Sequence, residues 1–453
     1  MTRTQGIRER TPVWSPDGKM LAFADKKLRL RILNVASRKI IEADVSKFSD
    51  ISDINWSSDS KWIAYAKDSE NQMSAIWVYS LEQQKSYQLT DDNSNDFNPV
   101  FDPGNKYLYF ISQRDFNLRF SEFEFDYLYD RSTRIYLATL NKNIPNPFEP
   151  LSDEENGQEE KKPKEEKSGQ TTKAVEIETA GFSGRVMGLN IPAGGYRSLM
   201  ATEKGPIYLR TNEGKTDLKI FDMSARKEET IMEGVNSYQL AYNGKNFIYS
   251  VNGKYGVAEV KPGQKAEPKL PVEKMIVQID PKKEWQQMFT DAWRIQRDWF
   301  YDPGMHGVDW PGMKELYGQL VPFVSHRKDL DYILGELVGE LAAGHTYVQS
   351  EDEPQVERVK VGLLGAKVEA TEAGWYRIAH IYPGENWHQD WRSPLTEPGV
   401  DVMVGDYILT INGNSVTTAD NFYKYLENTV GTTVTLEIKR DGEEGTHEIK
   451  IKP

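Results

Sequence analysis

The stretch "PVWSPDGKMLAFA" (residues 12–24) has two counterparts along the chain, "DINWSSDSKWIAYA" (53–66) and "FNPVFDPGNKYLYFI" (97–111). Each carries an aromatic residue (Trp14, Trp56, Phe101), a turn rich in Ser, Asp, Pro and Gly, and an alternating strand. The aromatics lie 42 and 45 residues apart, which is the period of a four-stranded propeller blade. In "AIWVYSLEQQKSYQLT" (75–90) a short polar turn joins two strands. Two weaker units, in 197–223 and 237–260, bring the readable blades to about five. One blade cannot bury both faces of its sheet, so blades stack radially about a channel. The repeats are compatible with a closed ring and equally with a ring lacking its first blades. Propellers identify no function by themselves and serve more often as docking or gating platforms than as catalytic ones.

Composition narrows the choices further. The 453 residues exceed one ordinary core and predict two to four domains, with 38% apolar and 28% charged residues. A net charge of −13 without a basic stripe argues against nucleic acid as a partner. The absence of cysteine excludes disulfides, thiolate zinc sites and a cysteine nucleophile. There is no run of about 18 apolar residues, so no membrane-spanning helix is expected. The start "MTRTQGIRERTPVWSPDG" lacks the apolar core of a secretory signal. Residues 152–173 are nearly free of apolar side chains and rich in both charges, and they read as a solvated or disordered insert in the third blade.

After about Val277 the periodicity becomes helical. In "EWQQMFTDAWRIQRDWFYD" the residues Trp285, Met288, Phe289, Ala292, Trp293, Gln296, Trp299 and Phe300 recur at helical spacing and form a core face. A second helix begins with Asp309 as cap and Pro311 in its first turn. In a third, Leu330, Ile333, Leu334, Leu337, Val338 and Leu341 share a face, with Ser325 the expected N-cap and Gly344 the expected stop. His345 then sits where this helix hands over to a strand, Thr346-Tyr347-Val348. Residue type and spacing alone favour a structural His345 that caps helix carbonyls.

The last hundred residues read as loop, strands, a helix in "TADNFYKYLENTV" and a closing hairpin. "GDYILTINGNSV" resembles the PDZ signature, with Gly405 and Asp406 shaping a turn and Ile408, Leu409 and Ile411 filling a strand. PDZ domains add a peptide as an extra strand and hold its terminal carboxylate in backbone amides. Gly362, Leu363, Leu364 and Gly365 match that carboxylate loop.

Repeats, helices and PDZ-like region follow one another as in the tricorn protease family. The chain resembles that family along its whole length, most closely in "RIQRDWFYDPGMHGVDW" (294–310), "ELVGELAAGHTYV" (336–348) and "YPGENWHQDWRSPLTEPGVDVMVGDYILTINGNSV" (382–416). The resemblance implies a mainly β, multidomain serine peptidase acting on oligopeptides. It implies a β-propeller over 1–276, a small helical domain over 277–354 and a PDZ-like domain over 355–453. It also implies homo-oligomers, a cytoplasmic location, and neither cofactor nor metal. His345 maps to the general base of the family. The family's nucleophilic Ser, oxyanion-hole groups and supporting acid belong to a domain after the PDZ, so the chain is expected to be an internal fragment with half an active site. Gly344 stands where the family places Ser.

Other constellations are weaker. His306, near Asp302 and Asp309, is expected to order its loop. No His-Glu-x-x-His pair occurs. "GFSGR" (181–185) lacks the nucleophile-elbow spacing of prolyl oligopeptidase-type hydrolases. The alternative from another class is a non-catalytic propeller–PDZ scaffold that binds peptides.

Overall fold

The computed structural model describes residues 10–115, 117–129, 131–150, 174–350 and 356–453. The charged insert expected at 152–173 lies outside them. The chain forms two compact units, 1–349 and 350–453. The fold is mainly β, with propeller blades, a small helical region and then a PDZ-like sheet.

Four four-stranded antiparallel sheets and one of three strands make up the five described blades. The first runs through Val13–Trp14, Met20–Asp25, Arg29–Asn34 and Ile40–Val45. The repeated turn explains why each unit starts alike. Ser15 Oγ accepts from the Met20 amide (2.9 Å) and donates to Asp17 (2.7 Å). Ser57 repeats this with the Trp62 amide (2.9 Å) and Asp59 (2.6 Å). The turn then passes through a left-handed residue in four of the five units: Gly18 (φ 69°), Ser60 (φ 59°), Asn105 (φ 57°) and Gly244 (φ 65°).

The repeated aromatics bury themselves against the preceding blade. Trp56 packs with Ala22, Leu30 and Ile32 of the first, and Phe101 with Ala64, Ile76 and Val78 of the second. Trp14 has no blade before it among the described residues and is 56% exposed. Polar stitches join first strands of successive blades: the Asn98 amide donates to Asp53 (2.9 Å) and the Leu199 amide to Asn98 Oδ1 (2.9 Å).

Three α-helices follow among the described residues: α1 (Pro281–Trp299), α2 (Trp310–Gly318) and α3 (Arg327–Gly339). Phe289, Trp293, Trp310, Leu330, Leu334 and Leu337 form their shared core. Two indoles clasp α1 to α2 reciprocally: Trp293 Nε1 donates to Trp310 O (2.8 Å), and Trp310 Nε1 to Trp293 O (3.0 Å). Buried tryptophans usually find a partner for the N–H, and here both partners are backbone carbonyls at helix positions. The helical region meets the first blade through the Arg10 guanidinium, 4.5 Å from the Trp299 ring, and Lys26 Nζ donating to Phe300 O (3.3 Å).

In the second unit the strand order is Ala366–Ala370, Tyr376–Ile381, Tyr407–Ile411, Val434–Lys439 and His447–Ile451. Ile378, Ile408, Ile411, Leu436 and Ile438 fill its core with Leu364, Phe422 and Leu426. Asp406 is buried in the turn, receives the Met403 amide (2.8 Å) and pairs with Arg440 (3.0 Å). The helix expected in "TADNFYKYLENTV" is only a 3-10 turn, Phe422–Leu426. Asn421 caps it through the Tyr423 amide (3.0 Å), and the segment that follows is pinned from outside, the Asn428 amide donating to Lys360 O (2.6 Å).

Candidate active site

The scaffold beneath His345 begins with helix caps. Asp309 starts α2 as expected, accepting from the Gly312 amide (3.1 Å). For α3 the cap is His326, not Ser325: His326 Nδ1 accepts from the Lys328 amide (3.2 Å), and Asp329 returns by accepting from the His326 amide (3.0 Å). Ser325 lies one position outside and donates to the same Asp329 carboxylate. The amides of Ser325 (3.2 Å) and His326, with the Ser325 hydroxyl, hold Asp329 below its ordinary pKa.

The end of α3 also differs from expectation. The helix stops at Gly339, well before Gly344. Its last amides tighten to three-residue bonds, Leu341 to Val338 O (3.2 Å) and Ala342 to Gly339 O (2.9 Å), and Ala342 then turns left-handed (φ 47°). The strand expected at 346–348 is absent: among the described residues this segment pairs with no strand, and β propensity alone does not make one. His345 therefore sits on an irregular exit segment, itself left-handed (φ 59°).

Position is given to that segment by two neighbours. Leu341 is fully buried in the helical core. Its carbonyl accepts from His306 Nδ1 (2.8 Å), across 35 residues of sequence. His306 is set by its own amide donating to Asp302 (2.8 Å), by the Tyr301 hydroxyl at Nε2, and by Phe300, whose ring lies 4.9 Å away edge-on. The amides of Gly304 and His306 hold Asp302 below its usual carboxylate pKa. Sequence reasoning placed His306 near Asp302 but missed Leu341; no local pattern signals so distant a carbonyl. Asp309 caps α2 instead of touching His306.

The His345 ring is exposed, and among the described residues its hydrogen-bond partner is Tyr347, with Nδ1 3.2 Å from the hydroxyl. With Nδ1–H donating to Tyr347, Nε2 keeps a free lone pair, the form a general base needs. Among the described residues no three His, Asp or Glu side chains converge to hold a metal ion.

The second candidate site divides. The Gly362 amide donates to Leu426 O (2.9 Å) and is thus occupied. Leu364 is buried in the core, whereas Leu363 is 64% exposed. The amides of Leu363, Leu364 and Gly365 have no acceptor among the described residues. Both glycines are required by crowding: a Cβ on Gly362 would stand 2.3 Å from Thr429 Oγ1, and one on Gly365 (φ 74°) 2.3 Å from Ser393 Oγ. The loop runs straight into Ala366–Ala370, an edge strand paired only with Tyr376–Ile381 among the described residues.

Comparison with known proteins agrees with this architecture. Residues 2–261 match the tricorn protease second beta propeller domain, 281–339 the tricorn protease C1 domain and 362–453 the tricorn protease PDZ domain. The chain belongs to the tricorn protease family. Tricorn protease homolog 1 of Streptomyces coelicolor is 27% identical over 453 residues, covering 94% of this chain and 42% of that protein. The putative tricorn-like protease C-terminal subunit of Sulfurisphaera tokodaii is 27% identical over 431 residues, covering 91% of this chain and 48% of that one. The crystal structure of the tricorn protease superimposes with a TM-score of 0.79 at 21% identity, over 98% of this chain and 44% of that one, which establishes the fold. The chain thus spans less than half the length of these relatives.

Proposed function

We propose that this chain carries the base-bearing half of a tricorn-like serine peptidase that hydrolyses peptide bonds in oligopeptides. His345 is the general base. It takes the proton of a serine hydroxyl as that oxygen attacks the scissile carbonyl, then returns it to the departing amine. The serine comes from a region of the relatives that this chain does not cover. The observation that carries the reading is the exposed His345 imidazole on a backbone fixed by Leu341 and His306. Family membership supplies the reaction class. Gly344 provides no hydroxyl beside the base, so orientation falls to Tyr347. By the same resemblance the working protein is a cytoplasmic homo-oligomer. No helix among the described residues is long and apolar enough to cross a membrane.

A fluorophosphonate probe tests the division of the site. The 453-residue chain should remain unlabelled, while the complete gene product should be labelled at a serine outside it, and His345→Ala should abolish that labelling. Labelling that persists without His345 would defeat the assignment.

The PDZ-like unit takes the C-terminal carboxylate of a peptide on the amides of Leu363, Leu364 and Gly365, and pairs the peptide with Ala366–Ala370. Peptides with free and amidated C-termini should differ in affinity; equal binding would refute this. The open edge strand also favours a second reading, a propeller–PDZ scaffold that binds peptides without cleaving them. In that case the probe would leave the complete gene product unlabelled as well.

A further inference from the structure

Next to the carboxylate loop, the segment Tyr382–Thr396 is tied down more firmly than an exposed loop requires. The Tyr382 amide donates to Gly365 O (2.8 Å). Ser393, 3% exposed, donates through Oγ to Tyr382 O (2.6 Å) and through its amide to Asn386 Oδ1 (2.8 Å). The Glu385 amide closes the loop on Trp391 O (2.9 Å). These bonds display two indoles to solvent, Trp387 at 80% and Trp391 at 57% exposure.

The rings are ordered with respect to one another. His388 stacks on Trp391 at 4.1 Å and 16°, while Trp387 stands against Trp391 at 6.4 Å and 81°. The result is a corner with two aromatic walls, one backed by His388. Flanking it, the exposed carboxylates of Glu385 and Asp390 take no hydrogen bond or ion pair among the described residues. The neighbouring guanidinium of Arg392 is committed to Glu397 (2.9 Å from Nε). Ring faces attract cations, and unpaired carboxylates favour the same charge.

We infer that Trp387 and Trp391, with Glu385 and Asp390, form a subsite for a lysine or arginine side chain near the C-terminus of the bound peptide. The inference rests on the peptide-binding reading of the loop at 363–365, because Gly365 and Ser393 root the corner beside it. The indole faces hold the cation, the carboxylates neutralise it, and the loop's internal bonds keep the corner in place before the peptide arrives.

Fluorescence anisotropy on the full chain tests this with hexapeptides carrying lysine, or its uncharged isostere norleucine, at each of the last four positions. At one position lysine should bind about three- to tenfold tighter than norleucine. That preference should vanish in Trp387→Ala and in Glu385→Lys, both changes at exposed side chains that leave the core intact. Equal binding of lysine and norleucine at every position would overturn the inference, as would a preference that survives both substitutions. A lysine preference that persists when free and amidated peptides bind alike would sustain the subsite and refute the carboxylate loop instead.

Discussion

Replacing His306 by Ala should loosen the segment that carries His345 while leaving the propeller intact. The His306–Leu341 bond has the geometry of a full hydrogen bond at 2.8 Å, and Leu341 is fully buried. Its carbonyl would lose its side-chain donor with little water to replace it, costing about 1–3 kcal/mol. Loss of the edge-on contact with Phe300 adds about 0.5–1.5 kcal/mol. The exposed Tyr301 contact adds little. Backbone strain offers no relief, because Ala would inherit the left-handed conformation of His306 (φ 54°). The sum, about 1.5–4.5 kcal/mol, should accelerate exchange of the amides that open with this segment by about tenfold or more. A chain of two units is unsuited to a single unfolding midpoint, so the assay is site-resolved hydrogen exchange on the full chain. The amides to watch are Leu341 and Ala342, bonded to Val338 and Gly339, and Met305, bonded to Asp302. Amides of Ile63 and Val78 in the second blade are the control. Wild-type exchange at Leu341 and Ala342 in the His306→Ala chain would refute the idea that His306 holds this segment.

Three further outcomes are expected. Leu337, fully buried among the three helices, should cost about 3–5 kcal/mol when changed to Ala, read as faster exchange across α1 and α3. Gly205→Ala should lower the melting temperature of the propeller in calorimetry, because its φ is 143° and the new Cβ would lie 2.2 Å from the Phe221 carbonyl oxygen. Tyr317 donates to Glu340 (2.6 Å), and that bond, with burial and the Glu340 charge, pushes its phenol up to about 12. Folding therefore favours the protonated phenol. This contribution to stability is complete below about pH 10 and is lost as pH rises through about 12. The difference in absorbance titration between wild type and Tyr317→Phe should show a late midpoint that falls towards the ordinary tyrosine value in Glu340→Gln.

The legible parts of the fold are those whose causes are local. A blade announces itself because its turn is chemically closed within six residues: Ser15 bonds Asp17 and Met20, and Ser57 bonds Asp59 and Trp62. The helix faces are equally local. What escaped, apart from the local choice of cap for α3, was set by distant partners. Ser325 fits the N-cap rule by residue type, yet His326 holds the position because Asp329 closes a capping box on it. Gly362 reads as a free amide in a Gly-Leu-Leu-Gly loop until Leu426, brought back by the sheet, takes its proton. The strand pattern of 346–348 pairs with no strand among the described residues, and β propensity without a partner makes no strand.

For the site itself, residue type pointed to His345 only through family resemblance, and its role as general base stands as the proposal made from that resemblance. Gly344 is the residue that could adopt a left-handed conformation freely, yet the left-handed positions are Ala342 and His345 on either side of it. Such conformations cost about 1–2 kcal/mol for a non-glycine residue, and they persist only where the surroundings over-determine them. Here the surroundings are the buried Leu341 and the His306 bond before the turn, and Tyr347 at the ring after it. A histidine that merely capped helix carbonyls would need none of this, since α3 ends at Gly339 and its last amides close upon themselves. Left-handed residues also close the blade turns at Ser60 and Asn105, so the proposed proton-acceptor role rests on the solvent-exposed imidazole and on its contact with the Tyr347 hydroxyl, 3.2 Å from Nδ1.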